Sequence, residues 1–238
     1  MISFLSPVNE QMKAMFPADT HPNRVIERAI LERLRPDAAV LDIGCGRTAP
    51  NLSGLIGKAK TLYGVDVIDF TVGDPRLQLF RNDVRDMKDI PSGSIDLAYS
   101  RAVMEHLEQP EDAFREIARV LKPGGKYVFT TPSIYDYGSI AALLIPNRFH
   151  ARIVSATEGR PGEDVFPTVF GANSLRAIRR HAQSTGLKVR DFDYLGQYPS
   201  YLVFNRVLFW LGSLYQKAIE RFAVTKPLQG WIFCVLEK

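Results

Sequence analysis

Residues 40–46 read VLDIGCG, and this segment constrains the fold more than any other part of the chain. Its apolar residues indicate a short strand buried on both faces, as found in parallel sheets covered by helices. Gly44 and Gly46 come directly after the strand, so the chain can turn tightly and a ligand can approach backbone N–H groups. Asp42 lies at the end of the strand, beside this turn. Because ligands of open α/β sheets bind beyond the carboxyl ends of the strands, the turn is a candidate site.

Strand-like and helical segments alternate along the rest of the chain. Further strands are predicted at 61–67, 77–86 (with a polar turn), 94–100, 126–132, 187–196 and 230–238. Helices are predicted at 21–34, 111–121 and 173–186, and a strongly apolar one at 201–222. Asn173 is suited to cap the third of these helices, and Gly186 to end it. This order of elements is typical of an α/β protein with a doubly wound, mostly parallel sheet.

Length and composition fit a single domain over residues 1–238. The chain is 46% hydrophobic and 24% charged, which is ordinary for a soluble protein with a sizeable core. Cys45 and Cys234 fit no zinc spacing, and two lone thiols indicate a reducing compartment. The N-terminus lacks the pattern of an export signal, and no stretch of about 18 apolar residues predicts a membrane span. We therefore expect a cytoplasmic protein without a metal site.

The net charge of +4 is unevenly distributed. Residues 146–238 hold 13 basic and 7 acidic side chains, whereas residues 1–145 hold 17 and 19. An excess of this size favours an anionic substrate or a membrane surface, or is an ordinary solvated basic face. The dense Lys and Arg with interleaved aromatic residues that mark a nucleic-acid-binding surface do not occur in the sequence. We therefore expect no nucleic-acid partner.

Two more acidic residues follow predicted strands at the same edge of the sheet. Asp66 ends the second strand, where a carboxylate can accept two hydrogen bonds from ribose hydroxyls. Asp83 follows the third strand, where its carboxylate could accept from the exocyclic amine of a purine. A phosphate-binding loop would require a lysine or a full G-x-G-x-x-G pattern, and the loop GCGRTA has neither. Each feature alone is more often a simple turn or a helix cap, but their order and spacing together predict a nucleoside pocket.

With these residues in place, the chain resembles the class I S-adenosylmethionine-dependent methyltransferases of the small-molecule type. The resemblance rests on VLDIGCG, LYGVDV, RNDVRDMKDIPSGSIDLAYSRAVMEHL and AFREIARVLKPGGKYVFTTPS, which cover roughly residues 38–133. It implies a Rossmann-like sheet of seven strands with an antiparallel last strand, and S-adenosyl-L-methionine as the methyl donor. The family's loop often reads G-x-G-x-G, whereas Thr48 stands at the third glycine position here, so we expect a stiffer loop after Gly46.

The resemblance also implies where the donor would lie. Its amino acid portion would contact the glycine loop, its ribose the end of the second strand, its adenine the turn after the third strand, and its sulfonium the end of the fourth. The residues implied for the amino acid portion are Asp42, Gly44, Cys45 and Gly46, and those for the ribose are Asp66 and Val67. Asp83 and Val84 are implied for the adenine, and Ser100 and Arg101 for the surroundings of the sulfonium. In this family the acid at the position of Asp42 holds the ammonium end of the donor, often through water.

A methyl acceptor that reacts through a hydroxyl oxygen needs a general base, and the chain offers several candidates. His150 and Asp136 lie in residues 133–173, a segment rich in aromatic residues and glycine that we predict to be a lid over the acceptor. His106 follows the fourth strand, where it could instead have a structural or donor-shaping role. His181 has basic neighbours inside a helix, so we expect it on a solvated face.

These predictions divide the single domain into three parts. Residues 20–132 form a donor-binding half, residues 133–173 form the lid or acceptor insertion, and residues 174–238 hold the C-terminal helices and the last two strands. We expect a small-molecule, glycan or lipid-like acceptor that is methylated at oxygen, and a lid rich in aromatic and aliphatic residues suits an amphipathic molecule.

The predicted C-terminal helix is more apolar than covering one face of a sheet requires. It is either buried under the lid, or it lies on a membrane surface through residues 202–222. In the second case Arg206, Lys217 and Arg221 would face lipid headgroups.

Three other functions compete with that of a small-molecule methyltransferase. A non-catalytic methyltransferase-like protein could bind the donor or a partner protein without turnover. An NAD-linked oxidoreductase shares the order of strand, glycine loop and acid, but GCGRTA lacks the G-x-G-x-x-G pattern. Nucleic-acid enzymes of this fold that methylate amino groups carry an Asn/Asp-Pro-Pro-Tyr type sequence after the fourth strand, where SRAV stands here. That difference disfavours methylation of base nitrogens.

Overall fold

A seven-stranded sheet organises the chain. The computed structural model describes residues 16–71, 73–144, 167–199 and 202–238. The strands are β1 (Ala39–Ile43), β2 (Thr61–Asp66), β3 (Leu77–Arg81), β4 (Ile95–Arg101), β5 (Leu121–Pro132), β6 (Lys188–Leu195) and β7 (Trp231–Glu237).

The strand order is β3-β2-β1-β4-β5-β7-β6. Strands β1 to β5 are parallel to one another, whereas β7 is antiparallel to both β5 and β6. This confirms the predicted α/β sheet of seven strands with an antiparallel last strand. The chain leaves β1 toward β2 on one side and later returns to β4 on the other. The carboxyl ends of β1 and β4 therefore border the topological switch point, where open α/β sheets bind ligands.

Helices cover both faces of the sheet. They are α1 (Pro22–Arg33), α2 (Pro50–Ser53), α3 (Pro110–Val120), α4 (Tyr137–Leu144), α5 (Leu175–Ser184) and α6 (Arg206–Arg221). Short 3₁₀ helices are formed by Ala18–Thr20, Met104–His106 and Ala223–Leu228. On one face, Ile26 of α1 packs with Val40 of β1; on the other, Phe114 of α3 packs with Leu41. Burial from both sides explains why the parallel strands read as nearly continuous apolar runs.

The helix predicted at 173–186 is α5, and its cap lies one residue later than predicted. The side chain of Ser174, not Asn173, caps α5 by accepting a hydrogen bond of 3.2 Å from the backbone N–H of Ala177. Asn173 is fully buried and donates to the side-chain oxygen of Thr131 and the carbonyl of Pro132. Gly186 follows the helix end with φ +80°, so its predicted role is confirmed.

The prediction that His181 lies on a solvated face is wrong. Its side chain is buried between α5 and α3, where its ring lies 5.4 Å from that of Phe114. Its Nδ1 is 3.6 Å from Oε1 of Glu111. The basic neighbours Arg179 and Arg180 are exposed, whereas His181 lies on the buried face of the same helix. The charge of its neighbours was therefore a misleading guide to its exposure.

The apolar C-terminal helix begins at Arg206, capped by the side chain of Asn205, rather than at residue 201. Its buried face consists of Phe209, Ser213, Gln216 and Ile219. Six other apolar side chains lie on the opposite face and are exposed; they are Val207, Leu208, Trp210, Leu211, Leu214 and Tyr215. The alternative that the helix is buried under the lid stays a prediction, because residues 145–166 lie outside the described residues.

None of the helices in the described residues is long and apolar enough to cross a membrane. The core of the predicted lid, including His150, lies outside the described residues. Its prediction as a lid therefore stays a prediction.

Candidate functional site

The glycine turn after β1 is held by the neighbouring strand. Gly44 and Gly46 have φ angles of +73° and +75°, which favour glycine. The N–H groups of Gly44 and Cys45 donate to the carbonyl of Val65 at 2.8 and 3.2 Å, and that of Gly46 donates to Oδ2 of Asp66 at 2.8 Å. We expected these N–H groups to face a ligand; in this structure they donate to the protein and fix the shape of the loop.

Two side chains define the surface around this loop. Val103 packs so closely against Gly44 that a Cβ atom there would clash with its methyl group. Cys45 is buried in the core next to Gly64, and burial raises the pKa of its thiol. The loop thus offers glycine surface and backbone to a ligand, while the Cys45 side chain packs inward.

Asp42 is an acid buried at the carboxyl end of β1. Its side chain is 2% exposed, and its Oδ2 accepts a hydrogen bond of 3.0 Å from the Tyr99 hydroxyl. Burial raises the pKa of Asp42 to about 7; the Tyr99 hydrogen bond and the charge of Arg101 oppose that rise, and the charge of Asp66 adds to it. A nearby cation favours the ionised form of such a carboxyl, so an ammonium group suits this position.

Asp66 connects the loop to the end of β2. Its Oδ1 accepts from the N–H groups of Val67 and Ile68 at 2.8 and 3.3 Å, and its Oδ2 accepts from Gly46. A carboxylate offers about four acceptor positions, so this half-buried group retains capacity for a further donor such as a hydroxyl. The Val67 side chain, predicted to line the same part of the site, is exposed.

Asp83 and Val84 occupy the turn after β3. Asp83 is half-buried and forms an ion pair with Arg85, with 2.6 Å between Oδ2 and a guanidinium nitrogen. The hydrogen bond from Arg85 holds the pKa of Asp83 below its usual value. Val84 is buried and belongs to the core. The structure thus supplies an ionised acceptor beside an apolar side chain at the position predicted for adenine.

The two predicted site residues at the end of β4 lie in different environments. The Ser100 hydroxyl is buried and lies 2.5 Å from the hydroxyl of Tyr127, so a ligand could contact this residue only through its backbone. Arg101 is half-buried, and its charge acts on Asp42 across the neighbouring strand.

A row of buried polar groups follows β4 and β5. Asn173 donates to the Thr131 hydroxyl at 2.7 Å, and that hydroxyl donates to Oε2 of Glu105 at 3.0 Å. The other carboxylate oxygen of Glu105 lies 3.8 Å from Nε2 of His106, whose Nδ1 is 2.9 Å from the carbonyl oxygen of Pro167. Because a carbonyl can only accept, Nδ1 carries a proton. The His106 ring is therefore oriented from both sides.

Asp136, the other described candidate base, lies at the start of α4. Its carboxylate accepts a hydrogen bond of 2.9 Å from the N–H of Gly138, and burial raises its pKa. This contact stabilises the first turn of the helix. Across residues 16–71, 73–144, 167–199 and 202–238, no group of three or more His, Cys, Asp or Glu side chains could hold a metal ion.

A pocket of about 610 Å³ lies beside the end of β4. Its wall comes from residues 16–27, Arg101 and residues 196–198, and its size is in the range of small-molecule sites. A second pocket of about 630 Å³ lies along α1, between residues 18 and 32, and contains no residue from a strand end. We therefore assign the first pocket to the candidate site.

Several residues of the site were not found from the sequence. The sequence predicts Tyr99 to be a core residue because it lies in a buried strand. Its role as the hydrogen-bond donor to Asp42 follows only from the register that places it opposite that residue. Thr131 and Asn173 are 42 positions apart, and no local pattern connects them. The pocket wall likewise joins segments that are distant in sequence.

Comparisons with known proteins agree with this arrangement. The profile of the family described as "Methyltransferase domain" matches residues 41–129. A probable S-adenosylmethionine-dependent methyltransferase of Mycolicibacterium smegmatis is 29% identical over 157 residues, 61% of this chain and 60% of that protein. The 24-methylenesterol C-methyltransferase 2 of Oryza sativa subsp. japonica is 24% identical over 206 residues, 82% of this chain and 54% of that protein. The chain thus spans 54–60% of the length of these two relatives.

A solved structure shows the same fold. The S-adenosylmethionine-dependent methyltransferase from Mesorhizobium loti aligns with a TM-score of 0.59 at 16% identity. The alignment covers 91% of this chain and 97% of that chain. At this identity the likeness shows the fold alone.

Proposed function

We propose that the chain, whose residues 41–129 match the methyltransferase domain family, is a class I S-adenosylmethionine-dependent methyltransferase that transfers a methyl group from S-adenosyl-L-methionine to a small or amphipathic acceptor at oxygen. One observation carries the proposal most directly. Asp42, Asp66 and Asp83 lie at or just after the ends of three neighbouring parallel strands, with the glycine loop between the first two.

The residues present fit the donor part by part. Asp42, buried and ready to ionise beside a cation, would hold the ammonium group. Asp66 would accept from the ribose, and Asp83 with Val84 would hold the adenine. The donor, when bound, supplies a methyl group on a positively charged sulfur that is already activated for in-line displacement. The protein therefore has to supply position and a dry environment.

Methylation at oxygen requires a group that takes the hydroxyl proton, and we assign that role to His106. Its protonated Nδ1 lies against the Pro167 carbonyl, so proton transfer would occur at Nε2. The Glu105 carboxylate, 3.8 Å from that nitrogen, would attract the imidazolium that forms. Asp136 and His150 remain predicted alternatives in the proposed lid.

We further propose that the exposed face of α6 contacts an anionic lipid surface. Trp210 and Leu211 are 53% and 52% exposed on this face. The helix carries Arg206, Lys217 and Arg221, and Glu220 is its one acidic residue. An apolar stripe flanked by basic side chains is typical of helices that lie in a membrane interface. This placement would bring the site to lipid-like acceptors.

Isothermal titration calorimetry with S-adenosylmethionine and S-adenosylhomocysteine, with NADH as the control, tests the donor assignment. Micromolar binding of both donor compounds, and not of NADH, is the expected result. Folded protein that binds neither compound would refute the proposal. A donor-binding protein that yields no methylated product in a mass-spectrometric screen of phenols, sugars and lipids would favour the non-catalytic alternative.

A further inference from the structure

The pocket beside β4 has one strand-end residue in its wall, Arg101. Among the described residues, no hydrogen-bond partner is found for its Nε, although that nitrogen is buried. A guanidinium is always charged at physiological pH, and leaving a buried charged donor unpaired is unfavourable. An unpaired buried group of this kind therefore points to a partner that binds from outside the chain.

The charges around Arg101 do not supply that partner. The charge of Arg101 lowers the pKa of Asp42, but Asp42 accepts its side-chain hydrogen bond from Tyr99 and not from Arg101. Asp42 is also the residue assigned to the donor's ammonium group. A bound donor would add a positive sulfur near the end of β4, so Arg101 would face a second cation. An anion in the pocket would compensate both charges.

The rest of the pocket wall is suited to an anion with an apolar body. Arg24 also lines it but is paired with Glu27 at 2.8 Å. Phe16 and Tyr198 contribute two rings whose centroids are 6.4 Å apart. These groups provide an aromatic wall, and Arg101 remains the cation without a fixed acidic partner in it.

We propose that this pocket binds the methyl acceptor through an anionic group, a carboxylate or a phosphate, held by Arg101, with the apolar part of the acceptor against Phe16 and Tyr198. The inference rests on the proposed function and narrows the acceptor to an anionic aromatic or aliphatic molecule. The donor also carries a carboxylate, so the experiment must separate the two sources.

The test uses the full chain saturated with S-adenosylhomocysteine and titrated calorimetrically with inorganic phosphate and 4-hydroxybenzoate. The neutral 4-hydroxybenzyl alcohol is the matched compound without the charge. We expect both anions to bind and the alcohol to bind more weakly. Arg101→Met should weaken anion binding by at least about tenfold, the scale of a lost charge-assisted contact. Arg101→Lys should restore part of the affinity, because lysine keeps the charge but not the bidentate geometry.

The double variant Arg24→Met and Glu27→Gln is the control within the same pocket, because both residues line it and pair with each other. It should change anion affinity by less than about twofold, since it removes one exposed charge of each sign. Thermal unfolding of each variant identifies any that fails to fold, in which case Arg101→Lys alone carries the comparison.

Three results would overturn the inference while leaving the proposed function intact. The first is wild-type protein that binds S-adenosylhomocysteine but neither anion. The second is equal anion binding by wild type and Arg101→Met. The third is weaker binding of S-adenosylhomocysteine by Arg101→Met with unchanged binding of 5′-methylthioadenosine, which lacks the amino acid portion, because Arg101 would then hold the donor carboxylate. Absence of any S-adenosylhomocysteine binding by folded wild type would instead refute the proposed function.

Discussion

Replacing Asp42 by asparagine should stabilise the ligand-free protein at neutral and alkaline pH, although it removes a proposed binding group. Asp42 is 2% exposed and accepts one hydrogen bond, from Tyr99. Asparagine has nearly the same shape, and its carbonyl oxygen can still accept from Tyr99. The substitution therefore removes the buried charge and keeps the contact.

The size of the effect follows from the pKa of Asp42. Burial raises this pKa from 3.8 to about 7. At ~1.4 kcal/mol per pKa unit, the shift corresponds to ~4 kcal/mol between the two protonation states. Because the folded-state pKa is above the unfolded value, this stability is fully present below about pH 4 and is lost as the pH rises to about 7. Asp42→Asn should thus be more stable than wild type by ~2–4 kcal/mol at about pH 8, and by less than ~1 kcal/mol at about pH 4.

Urea unfolding of both proteins at about pH 4, 6 and 8 measures this difference, since other titrating groups contribute equally to both. Asp83→Asn is the control with the opposite sign. The pKa of Asp83 is lowered by Arg85, so its ionised form stabilises the fold at neutral pH and that contribution is lost in acid. A stability difference between wild type and Asp42→Asn that does not grow with pH would refute the reasoning.

Donor binding should show the complementary behaviour. If the ionised carboxylate holds the ammonium group, wild-type affinity for S-adenosylhomocysteine should fall by up to about tenfold for each pH unit below about 7. The affinity of Asp42→Asn should be lower and should lack this pH dependence. Equal affinities for the two proteins at about pH 8 would remove Asp42 from the donor site.

Three further predictions concern the loop, the ribose contact and the exposed helix. Gly44→Ala should destabilise the protein by more than ~1 kcal/mol, because φ is +73° and Val103 occupies the space of a Cβ atom; Gly46→Ala, with a similar φ but open space, should lose less in the same thermal unfolding experiment. Asp66→Ala should weaken S-adenosylhomocysteine binding by ~1.5–3 kcal/mol in calorimetry, the scale of a lost hydrogen bond to a charged group, and unchanged affinity would exclude Asp66 from the site. The double variant Trp210→Ser and Leu211→Ser should reduce co-sedimentation with phosphatidylglycerol vesicles; no vesicle binding by wild type, together with a concentration-dependent dimer, would assign this face to a second copy of the chain.

The sheet could be predicted from the sequence because its strands are short apolar runs with distinct turns between them. Asp42 is the last residue but one of β1 and Asp66 is the last residue of β2, so the same residues located the strand ends and the site. The resemblance added the number of strands and the antiparallel last strand, which local patterns do not contain. Gly186 was placed correctly because a left-handed residue at a helix end has a clear sequence preference.

The errors arose where tertiary contacts decide the outcome. His181 has two exposed arginines beside it, yet the packing of α5 on α3 places it in the core. Asn173 suits a helix cap, but a buried position next to Thr131 gives its amide two acceptors. In α6, composition alone could not show that Phe209 is buried while Trp210 and Leu211 are exposed. Periodicity locates the elements; it does not identify which face is covered.

The charges of the site lead to one more consequence of the proposed anion pocket. Asp42 and Asp66 give the donor side of the switch point a negative character, and Arg101 is the cation at its border with the pocket. The donor's sulfonium and Arg101 repel each other unless an anion lies between or beside them. An anionic acceptor would therefore tighten donor binding, and by reciprocity the donor would tighten acceptor binding by the same factor.

S-adenosylhomocysteine lacks the positive sulfur, so 4-hydroxybenzoate should strengthen the binding of S-adenosylmethionine more than that of S-adenosylhomocysteine. Equal strengthening of both would show that the coupling does not arise from the sulfonium charge.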